Sequence, residues 1–147
     1  MTDPLRTIED YELYAYSIST FFDEIRGSTL TLVRHGTSLA RVAGAIEFFN
    51  GYRLVVRERL LYSYLPAVID WYGYEVWKGG TLLFWYDSQP HPNEASLQST
   101  HPHHRHIPPD IKHNRIPAPE MSFRRPNLPV LIAEIQSLIA GDRTANQ

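Results

Sequence analysis

The chain contains no cysteine, which excludes a disulfide scaffold and a metal site built on thiolates. It also lacks any uninterrupted run of about eighteen apolar residues, the length that a membrane-spanning helix requires. The N-terminal residues show no basic start followed by an apolar stretch, which is the pattern of a secretory signal. We therefore expect a cytoplasmic protein that does not associate with membranes.

An excess of charge of one sign is also missing, because the formal net charge is only -2. This near-neutral charge argues against wholesale binding to nucleic acid through excess positive charge. Lysine is scarce, however, and twelve of the fourteen basic residues are arginine. Since arginine binds phosphate oxygens through two parallel hydrogen bonds, a local basic surface remains compatible with the composition.

A length of 147 residues is that of one domain able to bury a core of its own. No internal repeat and no second apolar core interrupts the sequence. We predict a single α+β domain over residues 1–141, followed by a flexible tail over residues 142–147.

Helical periodicity is present near both ends of the chain. In residues 7–25 apolar side chains recur at steps of three and four, with Thr7 as a cap and Gly27 as a stop. The second helix has Asn127 as its cap, Pro129 in its first turn and Gly141 as its stop. The sequence thus predicts an N-terminal helix and a C-terminal helix, the latter covering one face of a sheet.

The residues between these helices alternate between apolar and polar, the period of half-exposed strands. The predicted strands span residues 29–33, 40–48, 52–61, 68–77 and 81–87. Asn50-Gly51 and Gly79-Gly80 separate two pairs of these strands and are typical of two-residue hairpin turns. Consecutive hairpins indicate an antiparallel meander of four or more strands.

Glu58 stands in the apolar register of its strand, between Val56 and Leu60. A carboxylate at a core-facing position must find a partner or stay protonated. One interpretation is that Glu58 lines a pocket beneath the histidine-rich segment. The other is that a bulge or a salt bridge turns Glu58 outward.

Aromatic side chains populate both faces of the last two predicted strands. Cross-strand packing against a core is one explanation, and a stacking platform for nucleobases is the other. These residues are Trp71, Tyr72, Tyr74, Trp77, Phe84, Trp85 and Tyr86.

The histidine-rich segment holds six of the seven histidines, between residues 91 and 113. Nine of the eleven prolines lie between residues 90 and 129, so this part of the chain is predicted to run extended rather than helical. In an extended segment His101 and His103 share one side, whereas His104 and His106 share the other. Because histidine gives and takes protons near neutral pH, this concentration indicates a working site. The alternative is a solvated turn or an adventitious metal binder, since histidine-rich loops also occur in both forms.

Several of these motifs together resemble the TumE toxin family of type II toxin–antitoxin systems. The resemblance is carried by Asn50-Gly51 before the strand with Glu58, Tyr86-Asp87, Pro90-His91, Pro102-His103-His104-Arg105-His106, Met121-Ser122-Phe123 and Pro126-Asn127-Leu128-Pro129. Ser88 and Pro92 depart from the pattern, which has asparagine and histidine there. The resemblance implies a toxin that is encoded beside a protein antitoxin and acts on RNA, and its layout is similar to that of the RelE and ParE toxins.

Cleavage of RNA through its own 2′-hydroxyl needs a base, an acid and a cation, which histidines and an arginine can supply without metal. We expect Asp87 to orient one of these histidines and no cofactor to be required. The predicted catalytic residues are His91, His103, His104, His106, Asp87 and Glu58. The predicted phosphate-binding residues are Arg105, Arg57 and Arg59.

Two alternatives remain open at this point. The histidines and Asp87 also supply enough nitrogen and oxygen ligands for zinc or nickel, although their spacing matches no standard closed zinc site. The second alternative is a partner-binding protein without catalysis. The sequence also leaves a homodimer open.

Overall fold

The computed structural model describes residues 3–145 and confirms an α+β protein with a helix near each end of an eight-stranded antiparallel sheet. Helix α1 spans Ile8–Tyr16 and helix α2 spans Leu128–Ala145. The strands are β1 Ile25–Ser28, β2 Thr31–His35, β3 Leu39–Phe48, β4 Tyr52–Leu61, β5 Val68–Lys78, β6 Thr81–Asp87, β7 His104–His106 and β8 Arg115–Pro117. No helix in this described part has both the length and the apolar character to cross a membrane.

The strands β3 to β8 form a meander, in which each strand pairs with the one that follows it. Strands β1 and β2 both pair with β3, on the edge that β4 leaves free. The predicted meander is therefore confirmed, but the observed meander has more strands than predicted, because β7 and β8 continue it through the histidine-rich segment. Their three-residue length gave no alternating pattern from which they could be predicted.

The N-terminal helix is shorter than residues 7–25, and this prediction is wrong at its C-terminal end. Helix α1 stops at Tyr16, a short 3-10 helix follows, and β1 begins where the helix was expected to end. The hydroxyl of Thr20 donates to the carbonyl of Ser17 at 2.7 Å, a local bond that competes with α-helical geometry. The predicted cap is confirmed, since the hydroxyl of Thr7 accepts from the Asp10 amide at 3.1 Å.

The two predicted hairpin turns lie side by side at one end of the sheet. Asn50 and Gly51 both adopt positive φ, at 63° and 80°, which is the geometry that their sequence predicts. Gly79 also has positive φ and donates its amide to the carbonyl of Gly51 at 3.0 Å. The first loop has three residues, Phe49–Gly51, rather than the predicted two, whereas the second has the predicted two, Gly79 and Gly80.

The C-terminal helix does not stop at Gly141 but continues to Ala145, so the predicted stop is wrong. The carboxylate of Asp142 accepts hydrogen bonds from Lys78 at 2.6 Å and from the Tyr52 hydroxyl at 2.7 Å. These contacts tie the last turn of α2 to the sheet. Residues 142–145 of the predicted tail are thus helical, and residues 146 and 147 lie outside the described part of the chain.

Both helices pack on one face of the sheet, which we call the helical face. Tyr11 of α1 reaches Glu58 on β4, and Glu134 of α2 accepts from the Tyr86 hydroxyl on β6 at 2.9 Å. The apolar core lies between this face and the helices. The opposite face, which we call the outer face, carries the side chains that alternate with these residues along β4 to β7.

Candidate functional site

The register of the sheet brings distant residues into a row on the outer face. Arg57 pairs with Gly73, Gly73 pairs with Asp87, and Asp87 pairs with His104. The neighbouring row contains Val55, Glu75, Trp85 and His106. Paired residues on adjacent strands share a face, so this register alone places both buried histidines of β7 beside the carboxylate of β6.

Asp87 is the centre of a group of side chains that also contains His91, His104 and His106, and we call this group the cluster. Its Oδ2 accepts from Trp85 Nε1 at 3.0 Å and lies 3.2 Å from Nε2 of His106. Its Oδ1 accepts from the Gln89 amide at 2.9 Å and lies 2.8 Å from Nε2 of His104. Burial raises the pKa of Asp87, but the close contact with His104 and the hydrogen bonds from Trp85 and Gln89 outweigh burial and hold it well below its usual range. Asp87 is therefore a carboxylate at neutral pH.

Both ring nitrogens of His104 face oxygen atoms. Nδ1 lies 3.0 Å from the Pro102 carbonyl, and Nε2 lies at ion-pair distance from Asp87. The contact of Nε2 with Asp87 is short, but its direction is poor for a hydrogen bond, and Nε2 has no other partner within residues 3–145. Burial lowers the pKa of His104, but Asp87 and the Pro102 carbonyl together raise it above its usual value. The ring is 1% exposed, and the neighbouring carboxylate of Asp87 favours its protonated form.

His106 lies on the same face as His104, but its pKa is shifted in the opposite direction. Its Nδ1 lies 2.9 Å from the Ile111 carbonyl, and its ring stacks on Trp85 with centroids 4.0 Å apart. Burial lowers the pKa of His106 below its usual value, and the charge of Asp87 only partly offsets this. The Asp87 carboxylate thus lies between one histidine whose pKa is raised and one whose pKa is lowered.

His91 joins this group from the loop after β6. Its ring stands edge-on to His104, with centroids 4.9 Å apart and planes at 75°. Burial lowers the pKa of His91, followed by the positive charges of Arg115 and His104. Within residues 3–145 its ring nitrogens make no hydrogen bond, and the side chain is partly exposed. His91 is therefore a neutral imidazole that solvent can reach.

His103 lies apart from this cluster, on the other side of the strand, as the extended segment predicts. Its Nδ1 lies 2.6 Å from the Tyr72 hydroxyl, and its ring stacks on Tyr72 and tilts against Phe123. Burial lowers the pKa of His103, and the nearby His104 lowers it further. The structure therefore brings His91, His104 and His106 together with Asp87, but not His103.

Glu58 is buried on the helical face, which corrects both interpretations of its sequence position. Its carboxylate accepts from the hydroxyl of Tyr11 at 2.6 Å and from the hydroxyl of Tyr74. Asn127 donates to the same Tyr74 hydroxyl at 3.1 Å. Burial raises the pKa of Glu58, although the two hydroxyl bonds lower it. Glu58 neither lines a pocket beneath the cluster nor turns outward, because alternation along β4 points it at α1.

The two predicted arginines of β4 lie on the outer face. Arg59 forms two parallel bonds to Asp70, at 2.8 and 2.9 Å, so its guanidinium is already engaged. Arg57 binds Glu75 at 3.1 Å and its side chain is 55% exposed. Of these two arginines, Arg57 is therefore the one that solvent and a phosphate group reach more easily.

Arg105 lies on the helical face and not beside the histidines, which corrects the expectation that it serves their site. Its guanidinium stands over the ring of Phe84 at 4.0 Å and binds Glu134 of α2 at 3.0 Å. Arg105 alternates with His104 and His106 along β7, so the strand itself directs it away from them.

A cavity of about 300 Å³ opens on the outer face next to Asp87. Its lining residues are Arg57, Trp71, Gly73, Tyr74, Glu75, Trp85, Asp87 and Gln89. No motif or periodicity singles out Glu75 or Gln89 in the sequence. The only relevant signal was the aromatic content of β5 and β6, because cavity formation depends on which strands become neighbours.

The cluster also has the donor set of a metal site. One ligand atom each from Asp87, His104 and His106 lie within 4.8 Å of one another. The Nδ1 atoms of both histidines face backbone carbonyls, an arrangement that commonly orients metal-binding histidines. Two nitrogens and one carboxylate oxygen suit zinc or nickel with further positions open.

Comparison with known protein families gives one finding. A family model described as Toxin TumE matches residues 12–139, a span that includes the entire sheet, the cluster and most of both helices. No curated protein and no solved structure matches the chain. The likeness to RelE and ParE toxins therefore stays a prediction.

Proposed function

The chain belongs to the TumE toxin family, and from this premise we propose that this toxin of a toxin–antitoxin system is a metal-independent ribonuclease. The family implies a protein antitoxin as partner, and RNA is the proposed substrate. Action on cellular RNA would place the protein in the cytoplasm. The proposed site is the cluster of Asp87, His91, His104 and His106 with Arg57 beside it.

The observation that supports catalysis is the pair formed by His91 and His104. The two rings are in contact, yet the pKa of His91 is lowered and that of His104 is raised. Neighbouring groups whose pKa values are displaced in opposite directions are suited to separate roles in proton transfer. His91 has a lowered pKa and is accessible, so it suits a base, whereas His104, with its raised pKa, suits a positive charge beside it.

In the proposed reaction, His91 takes the proton of the RNA 2′-hydroxyl, and the 2′-oxygen forms a bond to phosphorus. The bond from phosphorus to the 5′-oxygen then breaks, and the departing oxygen takes a proton from water. The products are a 2′,3′-cyclic phosphate and a 5′-hydroxyl, and His91 returns its proton to solvent. No step requires a metal ion.

The remaining residues hold charge in place for this reaction. The imidazolium of His104 and the guanidinium of Arg57 favour the extra negative charge of the phosphorane. Asp87 and His106 act as positioning residues, since Asp87 binds His104 and His106 binds Asp87. Arg57 is proposed to hold phosphate because it is exposed, whereas Arg59 is committed to Asp70.

The test is cleavage of an end-labelled RNA by the purified full chain in the presence of EDTA, after separation from its antitoxin. We expect fragments with cyclic phosphate ends for the unchanged protein and at least about a hundredfold slower cleavage for His91→Ala. Intact RNA after prolonged incubation with folded protein would contradict the proposal. Equal cleavage by His91→Ala would contradict the assigned base.

Metal binding without catalysis is the second candidate function, and the convergence of two Nε2 atoms on Asp87 supports it. Metal analysis of protein purified without a histidine tag distinguishes the two candidates. Stoichiometric zinc or nickel that is lost in His104→Ala would favour the metal site. Complete inhibition of cleavage by EDTA, with recovery on adding zinc, would assign the cluster to a metal-dependent reaction.

A further inference from the structure

The proposed cleavage leaves the cavity beside Asp87 without a role, and we infer that this cavity binds a guanine base of the RNA substrate. The inference rests on the proposed ribonuclease function, because only then does a nucleobase lie next to the cluster. It goes further in naming a base and the residue that selects it, Glu75.

The floor of the cavity is Gly73, which the register places between Arg57 and Asp87. A Cβ atom at this position would stand 3.8 Å from Nε of Arg57 and 3.8 Å from the Trp71 ring. A side chain at position 73 would therefore fill the space that these residues enclose. The volume of about 300 Å³ lies at the lower end of ligand pockets, which suits one nucleotide.

Two indole rings line this space, Trp71 on β5 and Trp85 on β6. Aromatic side chains on a sheet stack with nucleobases irrespective of base identity, because every base has a flat π face. Trp85 also stacks on His106 with centroids 4.0 Å apart. A base that contacts Trp85 therefore lies beside Asp87, and Arg57 lines the same cavity.

Selectivity comes from Glu75, whose carboxylate is held in place from two sides. Trp77 Nε1 donates to its Oε1 at 2.9 Å, and Arg57 donates to its Oε2 at 3.1 Å. The side chain keeps 27% of its surface exposed, so its remaining lone pairs are available to a ligand. Glu75 thus presents two fixed acceptors and no donor to the cavity.

Guanine is the base that complements such a pair of acceptors, because its N1–H and its amino group are adjacent donors. Adenine and cytosine place an acceptor nitrogen beside their amino group, and that nitrogen would face a carboxylate oxygen. Uracil has a single N–H that lies between two carbonyl oxygens. A carboxylate therefore attracts the pairing edge of guanine and repels part of that edge in each of the other bases.

The test is calorimetric titration of the full chain with each of the four nucleoside 3′-monophosphates, which contain no bond for the enzyme to cleave. We expect guanosine monophosphate to bind most tightly. In Glu75→Gln its affinity should fall about tenfold or more, the usual scale for a lost hydrogen bond to a charged group. The matched control is Asp70→Asn, which removes a carboxylate that binds Arg59 and lies outside the cavity lining.

A second pair of variants tests the stacking surface. Trp71→Ala should weaken binding of every nucleotide by about tenfold, whereas Trp71→Phe should retain most of the affinity. Equal affinities for the four nucleotides, or no binding of any, would overturn the inference. RNA cleavage without preference for guanosine would overturn it while leaving the proposed function intact. Selective guanosine binding by a protein that cleaves no RNA would support the cavity assignment and refute the ribonuclease.

Discussion

His91 contacts His104 edge-on, and the contact joins an accessible imidazole whose pKa is lowered to a buried imidazole whose pKa is raised. The first of these rings has no hydrogen bond in residues 3–145, whereas both nitrogens of the second face oxygens. Substitution of His91 should therefore reduce RNA cleavage without affecting folding, whereas substitution of a residue that faces a ring nitrogen of His104, such as Asp87, should affect both.

Replacement of His91 by alanine is expected to reduce RNA cleavage by about two orders of magnitude or more, the scale of a positioned base. The midpoint of thermal unfolding should stay unchanged, because a partly exposed ring without hydrogen bonds is removed. The matched control is His113→Ala, which removes an exposed histidine that binds only Asp110 among the described residues. A loss of folded protein in His91→Ala would show that the ring has a structural role instead.

Replacement of Asp87 by asparagine is expected to lower the free energy of unfolding by about 3 kcal/mol at mildly acidic pH, because the protonated form of the buried His104 ring loses its partner. The pKa of Asp87 is lowered by folding, so its contribution is present above about pH 4 and is lost as the pH falls. The pKa of His104 is raised, so its contribution is full below about pH 6.5 and is lost as the pH rises. The difference between the two proteins should therefore be largest between about pH 4 and pH 6.5.

Urea denaturation at pH 3, 5.5 and 9 measures this pH dependence. The control is Asp110→Asn, whose carboxylate binds the exposed His113 and should contribute less than about 1 kcal/mol. A difference between wild type and Asp87→Asn that does not change with pH would argue against the ion pair of Asp87 and His104.

Glu58→Gln is expected to leave RNA cleavage unchanged, because Glu58 lies on the helical face and contacts Tyr11 and Tyr74 rather than the cluster. Burial raises the pKa of Glu58, so its stabilising contribution is full below about pH 4.3 and is lost as the pH rises through the raised value. The glutamine of the variant does not ionise, so its stability does not fall in this way. The free energy of unfolding of the variant relative to wild type should therefore rise across that pH range. Chemical denaturation between pH 4 and pH 8 measures the change, and cleavage as weak as that of His91→Ala would refute the structural assignment.

Expression of the toxin without its antitoxin is expected to slow bacterial growth, because a free nuclease degrades cellular RNA. Co-expression with the product of the adjacent gene should restore growth through a stable complex that copurifies. The His91→Ala variant should be harmless yet still bind the antitoxin, since the substitution is confined to the site. Normal growth at high levels of soluble wild-type protein would remove the main support for the toxin activity.

The parts of the fold that could be predicted carry their signal in neighbouring residues. Asn50-Gly51 specifies a turn because both residues tolerate positive φ, and Thr7 specifies a helix start because its hydroxyl reaches the Asp10 amide. The end of α1 and the continuation of α2 past Gly141 could not be predicted, because bonds such as that of Asp142 with Lys78 form only in the folded protein.

For the candidate site, the sequence determined which residues can do chemistry and that His103 and His104 point to opposite sides of an extended segment. The tertiary structure decided which of these residues meet. The pairing of β6 with β7 places Asp87 beside His104 and His106, and the alternation of β4 and β7 turns Glu58 and Arg105 to the other face. The physical reason is that side-chain alternation is a local property of a strand, whereas register between strands depends on packing of the whole sheet.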